Sequence, residues 1–594
     1  MTTRASRSPR RRTVVALAVV LSVLAAFIVR LVDIQVVNAD DHIEDSLSWA
    51  FGGSQELYGT RGTIVDADGE QLAGSVLTYD AQLDPSNAGD IRRADASGDS
   101  EVVPWPIVAA EIGAITGQSG EEVMRVVDEA LAADPDSQYA QLAQGLSTQQ
   151  YRDLVSLGVP FLYFEPRPDR TYVDGAVAGG LVGYVGSDGV PLAGLELSQN
   201  ACLEASDGTL SYQKGKDGVI IPGTSIEEPA VDGGTLQLTI DRDLQWYMQQ
   251  LIAEQAQDMG AQYGSILVVE AESGKIRAAA EYPTVDPNDV EAADVDARYS
   301  QLFTAQREPG STFKALTAAT LLDTGAQTPY STVDAASFET FPNGARVRDA
   351  FVHPSYTYTL TGALIDSSNV AVSKFSERVS AQTRYDYLTD FGIGGGVDVG
   401  YPSAQTGYIR PVDEWDNQTL YNTSFGQGLV TTMPELAQAY TAITNDGVRV
   451  PLSLIESCTL ADGTVIEPDL PDPVRVISEE TAHQVSTMLE NVFLQSTYAD
   501  DVAIAGYRMA GKTGTAEKTD GQGGYKAGAY FTTLIGYAPA EDPQYIVLVN
   551  LDEPTKVASS SANVPAFQKA MTQVLKNYRV MPSTSAPEEL PKFG

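Results

Sequence analysis

From Thr13 to Val32 the chain runs twenty residues that are apolar apart from Thr13 itself, Ser22 and, near the end, Arg30. At about 1.5 Å per helical residue the run measures roughly 30 Å, the thickness of a bilayer's hydrocarbon core. Arg30 lies close enough to its end to snorkel to the headgroups. The twelve residues before it hold Arg4, Arg7, Arg10, Arg11 and Arg12 and no acid. A cleaved signal peptide would have a shorter apolar core and a small-x-small cleavage site, but this run closes on Ile28-Val29-Arg30-Leu31. The favoured reading is an uncleaved single-pass anchor. Its basic segment stays in the cytoplasm, and everything from Asp33 onward lies outside. Every later motif must then be one that works outside a cell.

That outer portion is strongly acidic. The whole chain carries 79 Asp and Glu against 38 Lys and Arg, a net charge of −41, and several of the arginines sit before the anchor. Nucleic acid and anionic lipid are poor partners for such a surface, and solubility alone accounts for the charge. Cys202 and Cys458 are the only cysteines. Two thiols cannot staple a scaffold, so the outer portion must stand on an apolar core, and unpaired thiols are expected rather than a bridge. His42, His353 and His483 are scattered, and none belongs to H-E-x-x-H. Each reads as an ordinary surface or core histidine, and no metal site is expected.

An outer portion of roughly 560 residues suggests two or more domains. Residues 40–235 mix short strand-like pieces, such as Gly62-Thr63-Ile64-Val65-Asp66, with helix-like ones, such as residues 121–132, and show no catalytic cluster. Residues 217–234 are rich in Gly, Pro, Glu and Asp and read as a linker or domain edge. Beyond them, Leu244, Tyr247, Met248, Leu251, Ile252 and Gln255 recur at helical spacing. Residues 265–269 and 275–278 flank Ser273-Gly274 as a hairpin would. Residues 531–537 and 545–551 read as strands, and Phe567, Met571, Val574 and Tyr578 share one face of a final helix. This order predicts an α+β fold, an antiparallel sheet with helices packed against it. Residues 582–594, with three prolines and two serines, read as a flexible tail. There is no internal repeat.

One segment can be read in two directions. Gly506-Tyr507-Arg508-Met509-Ala510-Gly511-Lys512-Thr513 fits G-x-x-x-x-G-K-[ST], the loop that cradles nucleotide phosphates. Forwards from Lys512, Lys512-Thr513-Gly514 is the K-T-G triplet of enzymes acylated on serine by penicillin-like substrates. A phosphate loop must open into a helix whose N-terminus holds the phosphates. Here Thr513 to Gly524 is dense in turn formers and lacks an apolar period, and nucleotides are scarce outside a cell. The forward reading is preferred.

The triplet also selects its partners. Ser311-Thr312-Phe313-Lys314 fits S-x-x-K and opens a helical stretch to Leu322. Positions i and i+3 share a helix face, so Lys314 can reach the Ser311 hydroxyl. A serine hydroxyl is a weak nucleophile until a base takes its proton, and an amine is that base only when burial or a nearby cation keeps it neutral. S-x-x-K recurs at Ser211-Tyr212-Gln213-Lys214, and Ser-x-Asn occurs at Ser198/Asn200, Ser367/Asn369 and Ser561/Asn563. The bland reading of any one copy is a capping serine beside a solvated lysine. Only Ser311/Lys314, Ser367/Asn369 and Lys512-Thr513-Gly514 combine the three in order, with a helical stretch after the serine and a strand at the triplet.

With these motifs the chain resembles the penicillin-binding proteins, specifically the class B monofunctional transpeptidases. The resemblance runs through nearly all of the outer portion: Arg61-Gly62-Thr63-Ile64-Val65-Asp66, Arg170-Thr171-Tyr172, Gly183-Tyr184-Val185-Gly186, Gly194-Leu195-Glu196, Leu238-Thr239-Ile240-Asp241 and Ser424-Phe425-Gly426-Gln427-Gly428. It is closest to the division-specific (septal) members of actinobacteria. It implies a cytoplasmic segment (1–12), an anchor (13–32), a pedestal of the dimerisation type (33–235), a transpeptidase domain like those of serine β-lactamases (236–580) and the tail (581–594). It implies catalysis by Ser311, Lys314, Ser367, Asn369 and Lys512, and substrate binding by Thr513, Gly514 and Thr515. Ser311 would attack the penultimate D-alanine carbonyl of a peptidoglycan stem, with Lys314 as base and Ser367 relaying a proton to the leaving amine. Asn369 would hold substrate and position Lys314, and Lys512 would place positive charge beside Ser367. Thr513 and Thr515 would bind the terminal carboxylate, Gly514 would let the acyl chain lie close, and the N–H groups of Ser311 and Thr515 would form the oxyanion hole. The resemblance implies no cofactor. Implied partners are stem peptides, β-lactams, a membrane-embedded glycan polymerase of the SEDS family and divisome proteins, because no part of the pedestal resembles a glycosyltransferase. Ser368 departs mildly from the aspartate many relatives carry there. Two other readings share the motifs: a lateral-wall transpeptidase, and a β-lactam sensor or division scaffold that acylates without turnover.

Overall fold

The computed structural model describes residues 9–33, 51–94, 100–215, 219–519 and 524–594. Arg4, Arg7 and His42 lie outside the described residues. By contact, residues 1–59 and 205–232 form one unit, and residues 60–204 and 233–594 another.

In the first unit a helix spans Pro9–Val32, and its Thr13–Val32 stretch is exposed, apolar and long enough to cross a membrane. The unit also holds a three-stranded antiparallel sheet of Phe51–Leu57, Gly208–Lys214 and Ile226–Glu228. The second S-x-x-K copy lies on its central strand. There Ser211 and Lys214 face opposite sides, because side chains alternate along a strand. Within 217–234, expected as a linker or domain edge, Ile226–Glu228 is a paired strand, and the unit ends at Asp232.

In the second unit a long strand, Gln71–Leu83, pairs antiparallel with Leu162–Tyr172. Helices Trp105–Thr116, Gly120–Ala133 and Thr148–Ser156 close a core of Leu83, Val108, Ile112, Val123, Leu142 and Leu154 over it. Full capping boxes at Ser119/Glu122 and Ser147/Gln150 start the last two helices. At the base, Glu196 is fully buried between two arginines. Arg61 Nε and Arg170 Nε lie 2.7 and 2.6 Å from its two carboxylate oxygens.

A sheet runs across the boundary expected at residue 235. Strand Thr235–Leu238 pairs parallel with Thr63–Val65 on one side and antiparallel with Ile455–Thr459 on the other. The pedestal base and the C-terminal part therefore share one seven-stranded sheet and one core, in which Ile64, Leu72, Leu236 and Leu238 are buried. That sheet also overturns the expectation of free thiols. Cys458 sits opposite Leu236, and the Cys202 carbonyl accepts from Gly234 N–H at 2.7 Å. The two sulfurs meet and form a disulfide, with both residues under 10% exposed.

The C-terminal part is α+β, as the pattern predicts. Its five-stranded antiparallel sheet runs, in spatial order, Ile276–Tyr282, Tyr263–Glu270, Tyr545–Asp552, Tyr525–Ala538 and Ala510–Thr519. Helices Arg242–Met259 and Val564–Asn577 pack together on it. Helix Met433–Thr444 is buried along its whole length, and Lys314–Asp323 along all but its last residue. The expected flexible tail is instead docked. Leu590 is 5% exposed, Phe593 lies against Tyr356 and Tyr358, and Lys592 pairs with Asp366 at 2.5 Å. Two apolar anchors outweigh the loose look of three prolines.

Candidate active site

The K-T-G triplet stands on Ala510–Thr519, the edge strand of the five-stranded sheet. The strand runs on through the triplet to Thr519 where a phosphate loop would open into a helix, which removes the phosphate-loop reading. An edge strand leaves alternate backbone N–H groups unpaired, and the turn carrying Ser311 packs against this one. The approach is closest at Gly514, where a Cβ would lie 2.9 Å from the Pro309 carbonyl oxygen and 3.0 Å from the Thr312 side chain. Gly514 is therefore required for the close approach of the Ser311 turn, whereas the resemblance assigns it to the acyl chain. Behind that turn, Gly310 N–H donates to the Gly426 carbonyl at 3.0 Å, and Gly310 and Gly426 both have positive φ. The Ser424–Gly428 turn thus backs the Ser311 turn.

Ser311 lies in a short 3-10 turn, Gly310–Phe313, that leads into Lys314–Asp323. It is partly exposed, and among the described residues its hydroxyl makes no hydrogen bond. Lys314 is fully buried. Helical spacing aims Lys314 at Ser311, but its amine bonds Ser367 instead, both the carbonyl and Oγ, the latter at 3.1 Å. Lys512, also fully buried, donates to the same Ser367 Oγ at 3.0 Å and to the Thr513 carbonyl at 3.1 Å. Ser367 has φ +54, a left-handed conformation that costs a non-glycine residue about 1 kcal/mol and recurs at functional sites. Two amines thus converge on one hydroxyl.

Burial disfavours charge on both amines. It holds Lys314 well below the usual lysine range, with Lys512 adding repulsion and Asp349 opposing, and it brings Lys512 down to about 7. Burial thus favours the neutral form of Lys314, the form able to accept a proton, and Lys512 is poised near neutrality.

The remaining predicted residues lie around this pair. Asn369 donates its amide to the Arg348 carbonyl at 3.0 Å rather than to Lys314. Thr513 and Thr515 share one side of the edge strand. Thr513 Oγ1 accepts from Tyr498 OH at 3.3 Å, and Thr515 Oγ1 accepts from Ser560 N–H at 3.1 Å, so each hydroxyl keeps its proton for a ligand. Tyr498, Ser560 and Asp349 are missed by sequence reasoning, because no spacing rule ties them to the motifs. Ser198/Asn200 lies at the pedestal base near Arg61. Ser561/Asn563 forms a turn before the final helix.

A family model described as the penicillin binding protein transpeptidase domain matches residues 264–572, and one described as the penicillin-binding protein dimerisation domain matches residues 56–238. Penicillin-binding protein PbpB of Mycolicibacterium smegmatis is 36% identical over 423 residues, 69% of this chain and 65% of that protein. Peptidoglycan D,D-transpeptidase FtsI of Escherichia coli is 27% identical over 565 residues, 95% of this chain and 91% of that protein. The structure of penicillin-binding protein 3 from Mycobacterium tuberculosis, complexed with aztreonam, superposes with a TM-score of 0.68 at 28% identity, covering 90% of this chain and 99% of that one.

Proposed function

The chain belongs to the penicillin-binding proteins, and from that premise we propose that it is a membrane-anchored peptidoglycan D,D-transpeptidase that works at the septum and is acylated on Ser311. One observation carries the chemistry: two buried lysine amines share the Ser367 hydroxyl while the Ser311 hydroxyl, unbonded among the described residues, stands on the adjoining turn. The named relatives and the aztreonam complex support the substrate class, stem peptides ending in D-Ala-D-Ala and the β-lactams that mimic them. The septal assignment rests on the motif resemblance to division-specific members. The apolar helix supports a single-pass anchor, and the arginines before it support a cytoplasmic N-terminus.

In this reading Ser311 Oγ attacks the carbonyl carbon of the penultimate D-alanine, and its proton passes to the neutral Lys314 amine. The carbonyl oxygen takes up negative charge between the N–H groups of Ser311 and Thr515. As the C–N bond breaks, the terminal D-alanine leaves with a proton relayed through Ser367. The substrate carboxylate takes hydrogen bonds from Thr513 and Thr515. Lys512 supplies positive charge beneath Ser367, and Asn369 borders the acyl chain. An amine of a second stem peptide then displaces Ser311, forming the cross-link. A membrane-embedded SEDS-type polymerase would supply the glycan strands, with divisome proteins as further partners.

The test is D-alanine release by the full-length chain from a D-Ala-D-Ala stem peptide, followed across pH. Release needs Lys314 neutral and Lys512 charged. The rate should therefore rise as Lys314 loses its proton and fall as pH passes about 7, where Lys512 loses its own. Lys512→Arg stays charged and should flatten the alkaline limb. Acylation by penicillin without D-alanine release at any pH would remove the transpeptidase reading and leave a sensor.

A further inference from the structure

Beneath the Ser367–Asn369 turn lies a pair of groups that this chemistry does not use. Asp349 and His353 are 8% and 9% exposed. Asp349 Oδ1 accepts from Val370 N–H at 2.9 Å, and Oδ2 accepts from Ser368 Oγ at 2.7 Å. His353 Nε2 lies 2.9 Å from the same Oδ2, and Nδ1 lies 2.7 Å from the Pro354 carbonyl. A carboxylate and a carbonyl are both acceptors, so a neutral imidazole with a single N–H satisfies only one of them. The contacts require one more proton within the pair. Oδ1 already accepts from the Val370 N–H and Oδ2 from Ser368 Oγ, so both carboxylate oxygens act as acceptors and the geometry places the proton on the ring.

The surroundings hold the ring in place. Tyr356 stacks on it at 5.3 Å, and Phe351 and Tyr358 flank it at 5.1 and 5.9 Å. The other charged and titratable groups nearby are already engaged. Tyr358 OH bonds Asp366 at 3.0 Å, Asp366 pairs with Lys592, and Arg348 pairs with Glu517 at 3.3 Å. Of the two buried lysines at Ser367, Lys314 is the one on which the Asp349 charge acts, and Tyr358 feels it as well.

We propose that Asp349 and His353 form an ion pair that positions the Ser-x-Asn turn and cancels the carboxylate's field at Lys314. The proposal rests on the roles given above to Ser311, Lys314 and Ser367. Asp349 fixes Ser367 from behind through Ser368 and the Val370 amide. Its carboxylate also favours the proton on Lys314, against burial and Lys512. Unbalanced, it would keep Lys314 charged and unable to take the Ser311 proton. Paired with an imidazolium it is close to neutral, and the amine stays a base. Asp349 and His353 are positioning residues, since neither touches the reacting atoms.

The test is the pH dependence of penicillin acylation of the full-length chain. His353→Gln leaves Asp349 unbalanced and should move the acid limb up by about one pH unit. Asp349→Asn removes both charges, because the ring then needs no second proton, and should leave the limb near the parent position; His353→Gln should have no upward effect in the Asp349→Asn background. Ser368→Ala keeps the ion pair and should slow acylation without moving the limb. A role in packing alone lowers rate and melting temperature together and leaves every limb in place, which overturns the proposal. So does a limb that moves the same way in both single variants. Should His353→Gln fail to fold, His353→Asn, which leaves the same carboxylate unbalanced, decides alone: a limb that stays put or falls is contrary. A wild-type chain that takes no adduct on Ser311 refutes the functional reading itself, whereas a normally acylated wild type with unmoved variants refutes only this inference.

Discussion

Lys314→Met is expected to slow penicillin acylation by about 10²–10⁴-fold, the range set by loss of a positioned general base. The same variant should be at least as stable as the parent, and this distinguishes a catalytic lysine from a structural one. Lys314 is fully buried and its amine is held well below the usual lysine range. The folded state therefore binds that proton less tightly than the unfolded state, where the amine titrates near 10.5. With the folded value depressed, stability climbs as pH rises from the folded value towards the unfolded one, and the penalty is full below the folded value. At neutral pH methionine removes that penalty while filling similar volume. Lys314→Arg should not rescue acylation, because a guanidinium stays protonated. Stopped-flow acylation and thermal unfolding of the same preparations check both halves. A Lys314→Met chain that acylates at the parent rate, or that has lost its fold, contradicts the account.

The second large effect is on stability. Glu196→Gln should cost about 3–5 kcal/mol, the cost of breaking a buried ion pair by removing one partner. Arg170 and Arg61 side chains are 7% and 14% exposed, so both cations would be left without a counter-charge where water reaches them poorly. Tyr172 OH also loses a charged acceptor at 3.3 Å. Because the pedestal base shares a sheet with the C-terminal part, the loss should lower one common unfolding transition rather than split off a separate one. Calorimetry of the full chain reads this. An unchanged transition temperature, or a new low-temperature transition with the main one unmoved, would be contrary.

Local elements were legible because their signals are local. The apolar period predicts the helix Arg242–Met259, the Ser273-Gly274 turn predicts the strands that flank it, and the ordered motifs select Ser311 over Ser211. What stayed hidden depends on pairings across long stretches of chain. Parallel pairing of Thr63–Val65 with Thr235–Leu238 leaves no mark in either segment and joins the two parts, and antiparallel pairing of Thr235–Leu238 with Ile455–Thr459 brings Cys458 to Cys202, 256 residues away. The tail misled because prolines and serines suggest mobility, while its docking depends on just Leu590, Lys592 and Phe593. Within the site, spacing could aim Lys314 at the face that carries Ser311. It could not show that full burial would turn the amine towards Ser367, nor that Asp349 and His353 would sit beneath that turn.

The central claim is that Ser311 is the nucleophile. Fluorescent penicillin incubated with the full-length chain, followed by mass mapping of the labelled peptide, tests it most directly. The account predicts one adduct per chain, on Ser311, absent from Ser311→Ala and unchanged in Ser211→Ala. An adduct on any other serine, or a Ser311→Ala chain that still labels, would contradict it.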